Sequence, residues 1–191
     1  MTPAKKKAHY ITYFGPIDSG RVQALMGLFS QIIAQHKPDE IHFHLSSPGG
    51  EVMAGITFYN FLRSLPTKII MHNIGSIDSI ATVIFLAGEE RRATKSSSFL
   101  FHGVAMGCKT DMGFNLAQLK ERVSSLAEDE NKIARIITEH TTISDDEIRS
   151  LFREGESKDP AFAKEKGFIT AIEDALVPAG EPFVTVNFDG K

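Results

Sequence analysis

The chain has 191 residues, 42% of them apolar and 24% charged, the composition of a globular protein able to bury a sizeable core in one compact domain. Its formal net charge of -3 is spread over both signs, so no global field draws it to nucleic acid or to an anionic membrane, and neither is expected as a partner. A single cysteine, Cys108, excludes an internal disulfide framework and fits a reducing compartment, with the cytoplasm as the expected location.

Taken in chain order, the start carries Lys5, Lys6 and Lys7, which reads as a solvated tail. Tyr10 to Phe14 then reads as a strand stopped by Gly15 and Pro16, and it is too short for a signal-peptide core. No stretch approaches the ~20 apolar residues of a membrane span. From Ser19 the spacing of Val22, Leu25, Met26, Phe29, Ile32 and Ile33 predicts an amphipathic helix, and Ile41 to Leu45 a second strand. Ser46 to Gly50 forms a Gly-rich turn that leads into a helix running until Pro66.

Lys68 to Ile74 predicts a third, buried strand. Gly75 is expected to turn the chain there into a strongly apolar helix from Ser79 to Leu86, ending near Gly88. Two short extended pieces follow, the second being Phe99 to His102. A longer helix is predicted from Gly113 to Glu139, because Leu116, Leu119, Val123, Leu126, Ile133 and Ile137 recur at spacings of three and four, with Glu130 interrupting. Periodicity alone assigns that stripe to packing on its own domain. Asp145 to Gly167 reads as helical and polar, and Phe183 to Phe188 as a final edge strand. Repeating β-turn-α units favour an α/β fold with a largely parallel sheet and right-handed crossovers.

Two turns present free backbone amides at a helix start, Pro48-Gly49-Gly50 and the turn before Ile80. Such amides bind negative charge, and acyl transfer needs two of them on one developing oxyanion. Taken singly, the first turn is only a tight turn and Ser79 only a helix N-cap. A serine becomes a nucleophile when a base removes its proton, and His102, at the end of a short apolar strand, is of the right type.

Several segments together resemble the Clp proteolytic-subunit family, from Gly15 to about Val177. They are Phe14 to Ile17, Ser47 to Gly50 followed by Ala54, Gly55 and Tyr59, Gly75 to Gly88, Phe101 with His102, and Ala163 to Ile169. The resemblance implies the fold of the Clp peptidase and crotonase superfamily with a protruding handle helix, here the helix from Gly113. It divides the chain into a short N-terminal segment and first strand at 1–14, a peptidase domain at 15–177 and a C-terminal tail with its edge strand at 178–191. It further implies a serine peptidase that cleaves peptides or unfolded proteins in a chamber of stacked homo-oligomeric rings. Ser79 would be the nucleophile, His102 the base, and Gly49 and Ile80 the oxyanion-hole amides. No metal and no organic cofactor is implied.

Three positions depart from the family. Its acid falls on Leu151, which cannot orient an imidazolium; Glu154, Glu156 and Asp146 lie nearby. The segment before Gly15 is shorter than the family's N-terminal region, which counts against docking of the family's Clp-type ATPase partner. Asp78 stands where the family has a small apolar residue, and capping of the following helix is its expected role. Two alternatives to an active peptidase follow: a catalytically impaired ring subunit or scaffold, and a crotonase-like acyl-CoA enzyme using the same pair of amides. His42 and His44 alternate on one strand and share a face, with His72 on another strand, without a recognisable metal-ligand set; Cys108 reads as a passive thiol, and Lys95 or Lys109 would serve only a serine-lysine dyad.

Overall fold

The computed structural model describes residues 6–107 and 113–188; Cys108 and Lys109 lie outside them. An eight-stranded sheet forms the framework, in the order β6-β5-β3-β2-β1-β8, with β4 pairing to β3 and β7. The strands are β1 (Ala8–Phe14), β2 (Glu40–Ser47), β3 (Lys68–Asp78), β4 (Glu90–Ala93), β5 (Ser98–Leu100), β6 (Ser157–Lys158), β7 (Ala171–Ile172) and β8 (Phe183–Val186). All pairings are parallel except that of β5 with β6, as a chain of β-turn-α units requires. The edge strand expected at Phe183 lies beside β1.

The helices α1 (Ser19–His36) and α2 (Val52–Ser64) pack on one face of this sheet. Asp18 caps α1 by accepting from Arg21 N, satisfying one of the amides that a helix start leaves unpaired. Phe29 of α1, Phe43 of β2 and Phe58 of α2 are fully buried and meet edge to face, with centroids 5.2 to 6.1 Å apart. Each such ring contributes roughly 1.5–3 kcal/mol by burial, so this cluster anchors the helical layer to the strands.

The third strand runs on past Ile74 to Asp78 instead of turning at Gly75. The reason is a change of partner. Its first half pairs with β4 and its last three residues with β5, with a register shift opposite Leu45 and Ser47. A side chain at Gly75 would come within 2.7 Å of Ser46 Oγ, so this glycine permits close strand approach and makes no turn. The apolar helix after it is correspondingly short, α3 (Ala81–Phe85), and all five of its residues are buried.

The long helix α4 spans Leu116–His140, beginning three residues later than Gly113, where Asn115 and Gln118 form a reciprocal capping box. Its stripe divides in two. Ile133, Ala134 and Ile137 are buried in the core, whereas Leu116, Leu119 and Val123 are 68%, 47% and 65% exposed. Packing on its own domain therefore accounts for the C-terminal half only. Beyond it lie α5 (Asp145–Glu154) and α6 (Pro160–Glu165). Arg91 of β4 ties this region to the sheet by donating to the carbonyls of Gly88, Gly167 and Phe168.

On the sheet face opposite α1 and α2, His42, His44 and His72 are buried together. His42 Nδ1 and His72 Nε2 are 2.9 Å apart, the ring of Tyr10 stacks on His42, and Glu40 lies 3.3 Å from His42 Nε2. No group of three or more His, Cys, Asp or Glu among the described residues is placed to hold a metal ion. Burial, with smaller effects of the neighbouring histidines, pushes His44 down to about 4 and His72 to about 3 from 6.5. Both are neutral when folded, and the unfolded chain alone takes up their protons below pH 6.5. Stability is therefore complete above pH 6.5 and falls as the pH drops toward 4, by about 1.4 kcal/mol per pH unit for each group. Urea midpoints should decline from pH 7 to pH 5, and His44→Phe should make that slope shallower while leaving the part due to His72, His42 and His9, whose pKa burial also lowers; an unchanged slope would show that His44 does not stay neutral.

Candidate active site

Two adjacent parallel strands deliver the two residues of interest to one place. Asp78 of β3 is opposite Leu100 of β5, and Ser79 N donates to Leu100 O at 2.9 Å. Ser79 follows the end of the first strand, and Phe101 and His102 follow the end of the second. Ser79 and His102 both line a cavity of about 230 Å³, together with Pro48, Gly50, Thr82 and Phe152.

Ser79 has a φ of +56°, in the left-handed region, at a cost of roughly 1–2 kcal/mol for a residue with a side chain. The helix N-cap is Ile80, and no side chain caps it. Ser79 thus is not the cap that its position alone suggests, and among the described residues its hydroxyl has no hydrogen-bond partner. Its carbonyl instead accepts from Thr82 N and Thr82 Oγ1, at 3.0 and 2.6 Å, which fixes the turn. Nor does Asp78 cap the helix: its carboxylate accepts from Ser76 Oγ on the same strand.

The Gly-rich turn closes over this serine. Gly49 has a φ of +85°, and a side chain there would come within 2.6 Å of Ser79 Cβ and 2.7 Å of Asp78 O. Only glycine allows both the conformation and the approach. Ile17 on the far side holds the turn through Ile17 N to Gly49 O and Glu51 N to Ile17 O, both 2.8 Å. Gly49 N donates to Ser47 Oγ at 3.1 Å, whereas Ile80 N makes no hydrogen bond among the described residues.

His102 Nδ1 lies 2.8 Å from Gly103 O. A carbonyl oxygen only accepts, so Nδ1 carries a proton, and in the neutral ring the lone pair is then on Nε2. That is the tautomer a general base needs. No hydrogen bond joins Ser79 Oγ to His102 in this structure. Leu151 is buried in α5, Glu154 accepts from Lys158 and Ser150, and Glu156 pairs with Lys158. Asp146 lies in the first turn of α5, and no bond links any of these carboxylates to His102.

One carboxylate that sequence reasoning did not weigh for this site does reach the segment. Glu130 Oε1 accepts from Val104 N at 3.0 Å. Its signal was its place in the apolar stripe of α4, between half-buried Leu126 and buried Ile133, where a charge is anomalous unless something recruits it.

The sequence profile of the Clp protease family matches residues 5–175. An "ATP-dependent Clp protease proteolytic subunit" from Bdellovibrio bacteriovorus is 24% identical over 150 residues, covering 78% of this chain and 69% of the relative. The protein of the same name from Deinococcus radiodurans is 21% identical over 161 residues, covering 83% and 77%. Among solved structures, a mutant of ClpP1 from Listeria monocytogenes superimposes with a TM-score of 0.72 at 17% identity, over 86% of this chain and 91% of that one. That likeness shows the fold. With the profile spanning nearly the whole chain, the protein is a member of the Clp protease family.

Proposed function

We propose that the chain is a serine endopeptidase subunit that cleaves peptides or unfolded proteins inside a homo-oligomeric chamber, with Ser79 as nucleophile and His102 as base. The observation that carries the reading is the strained, unbonded Ser79 hydroxyl on the same cavity as a histidine already in the Nδ1-protonated tautomer. In the working enzyme Ser79 Oγ would donate to His102 Nε2 across the cavity that both residues line. His102 takes the hydroxyl proton as Oγ bonds to the scissile carbonyl carbon, then returns it to the leaving amine as the C–N bond breaks; water repeats the cycle on the acyl-enzyme. The amides of Gly49 and Ile80 are the proposed oxyanion donors: Ile80 N makes no hydrogen bond among the described residues, and Gly49 N would exchange its bond to Ser47 Oγ for the oxyanion. The mechanism uses neither metal nor organic cofactor.

Two observations favour a second reading, a catalytically impaired ring subunit. The resemblance sets Leu151 at the position of the orienting acid, and no carboxylate among the described residues hydrogen-bonds to His102. Removing that acid from a complete triad costs about 10⁴ in turnover while leaving nucleophile and base in place. A fluorophosphonate probe separates the readings: the assembled protein should label at Ser79, and labelling should disappear in Ser79→Ala. Absence of labelling in the wild type would favour the scaffold. A Clp-type ATPase is the partner that family membership suggests. No helix among the described residues is long and apolar enough to cross a membrane.

A further inference from the structure

The bonds around residues 102–104 converge on a single peptide group. Its carbonyl, Gly103 O, accepts from His102 Nδ1 at 2.8 Å, and its amide, Val104 N, donates to Glu130 Oε1 at 3.0 Å. A third bond, Gly103 N to Phe152 O at 3.1 Å, holds the same segment against α5. The imidazole and the carboxylate therefore occupy opposite ends of one polarisable unit, although they do not touch.

We propose that Glu130 is the positioning residue for His102, acting through the Gly103–Val104 peptide in place of the missing acid; this rests on the Ser79 and His102 reading above. A carboxylate that accepts from a peptide N–H shifts electron density toward the carbonyl oxygen and makes it a stronger acceptor. Gly103 O then holds the Nδ1 proton more firmly and keeps the Nε2 lone pair available for Ser79. As His102 becomes an imidazolium, its positive charge is balanced along the same path, and the Nδ1 proton stays where it is.

Two further features support the assignment. A side chain on Gly103 would come within 2.7 Å of Glu130 Oε1, so the bare glycine is what lets the carboxylate approach this backbone. Glu154 and Glu156 are engaged by Lys158, and among the described residues Glu130 is the carboxylate bonded to the His102 segment.

The test compares assembled wild type, Glu130→Gln and Glu130→Ala. Glutamine can still accept from Val104 N but carries no charge; alanine loses both. Nitrogen-15 histidine NMR, with the His102 signals identified by their loss in His102→Gln, reads tautomer and the Nδ1–H resonance without requiring turnover. Both variants should move the Nδ1–H resonance upfield, and alanine should add Nε2-protonated tautomer. Fluorophosphonate labelling and kcat should fall on the order of 10-fold in glutamine and more in alanine, short of the ~10⁴ for a directly bonded acid. KM and the melting temperature should hold.

Unchanged His102 signals in both variants would overturn the proposal, as would a rate loss that merely follows a lower melting temperature. If the wild type never labels, the peptidase reading fails while the NMR comparison still decides the role of Glu130. If the wild type labels and the variants match it in rate and spectrum, only the role of Glu130 fails.

Discussion

Replacing Ser79 with alanine is expected to lower peptide hydrolysis about 10³-fold or more while leaving the melting temperature and the assembly unchanged. The hydroxyl has no hydrogen-bond partner among the described residues, and Ile80, not Ser79, is the helix N-cap, so its removal takes no capping energy from the fold. His102→Ala should lose a comparable amount, because nucleophile and base form one functional unit and their losses do not add. The double variant should therefore be no slower than either single one by more than a few-fold. Wild-type turnover in Ser79→Ala would refute the nucleophile assignment, and additive losses would show that the two residues work separately.

Introducing charge into the apolar stripe of α4 should have the second large effect. Leu119→Glu combined with Leu126→Glu is expected to separate the proposed stacked rings into single rings or monomers, with far-ultraviolet circular dichroism close to wild type. The structure gives this more support than the sequence pattern did. Leu116, Leu119 and Val123 stand exposed while Ile133 and Ile137 are already covered, so the outer half of the stripe is left uncovered by the described residues. Contiguous exposed apolar surface of this kind marks association. A carboxylate buried in such a contact costs several kcal/mol unless it is protonated or paired. Sedimentation velocity gives the result. A wild type that sediments as a monomer at micromolar concentration, or a double variant that unfolds, would contradict the assembly.

The alternation of strands and amphipathic helices was readable because burial imposes period 2 on one and 3.6 on the other. The Pro48-Gly49-Gly50 turn was readable as well, since few residues besides glycine accept a φ of +85° beside another backbone. The continuation of β3 through Gly75 was not, because a glycine that permits close strand approach looks in sequence like one that ends a strand. Nor could residue types show what meets His102 Nδ1. The acceptor is a backbone carbonyl, Gly103 O, and every residue has one. Glu130 was visible only as an interruption in a stripe, and its meaning required knowing which loop the helix faces.

The partner exchange along β3 has a consequence for the life of the chain. Ser79 and His102 are separated by residues 80–101, and the last rungs between β3 and β5 are what bring them together. While that pairing is unmade, the two side chains belong to distant parts of a fluctuating polymer, and the constellation proposed for catalysis does not exist. The pairing is non-local, so it must overcome loop-closure entropy before it is rewarded. On the proposed assignment, a nascent or partly folded copy in which this pairing is unmade lacks the Ser79 and His102 arrangement and should not hydrolyse the unfolded chains around it.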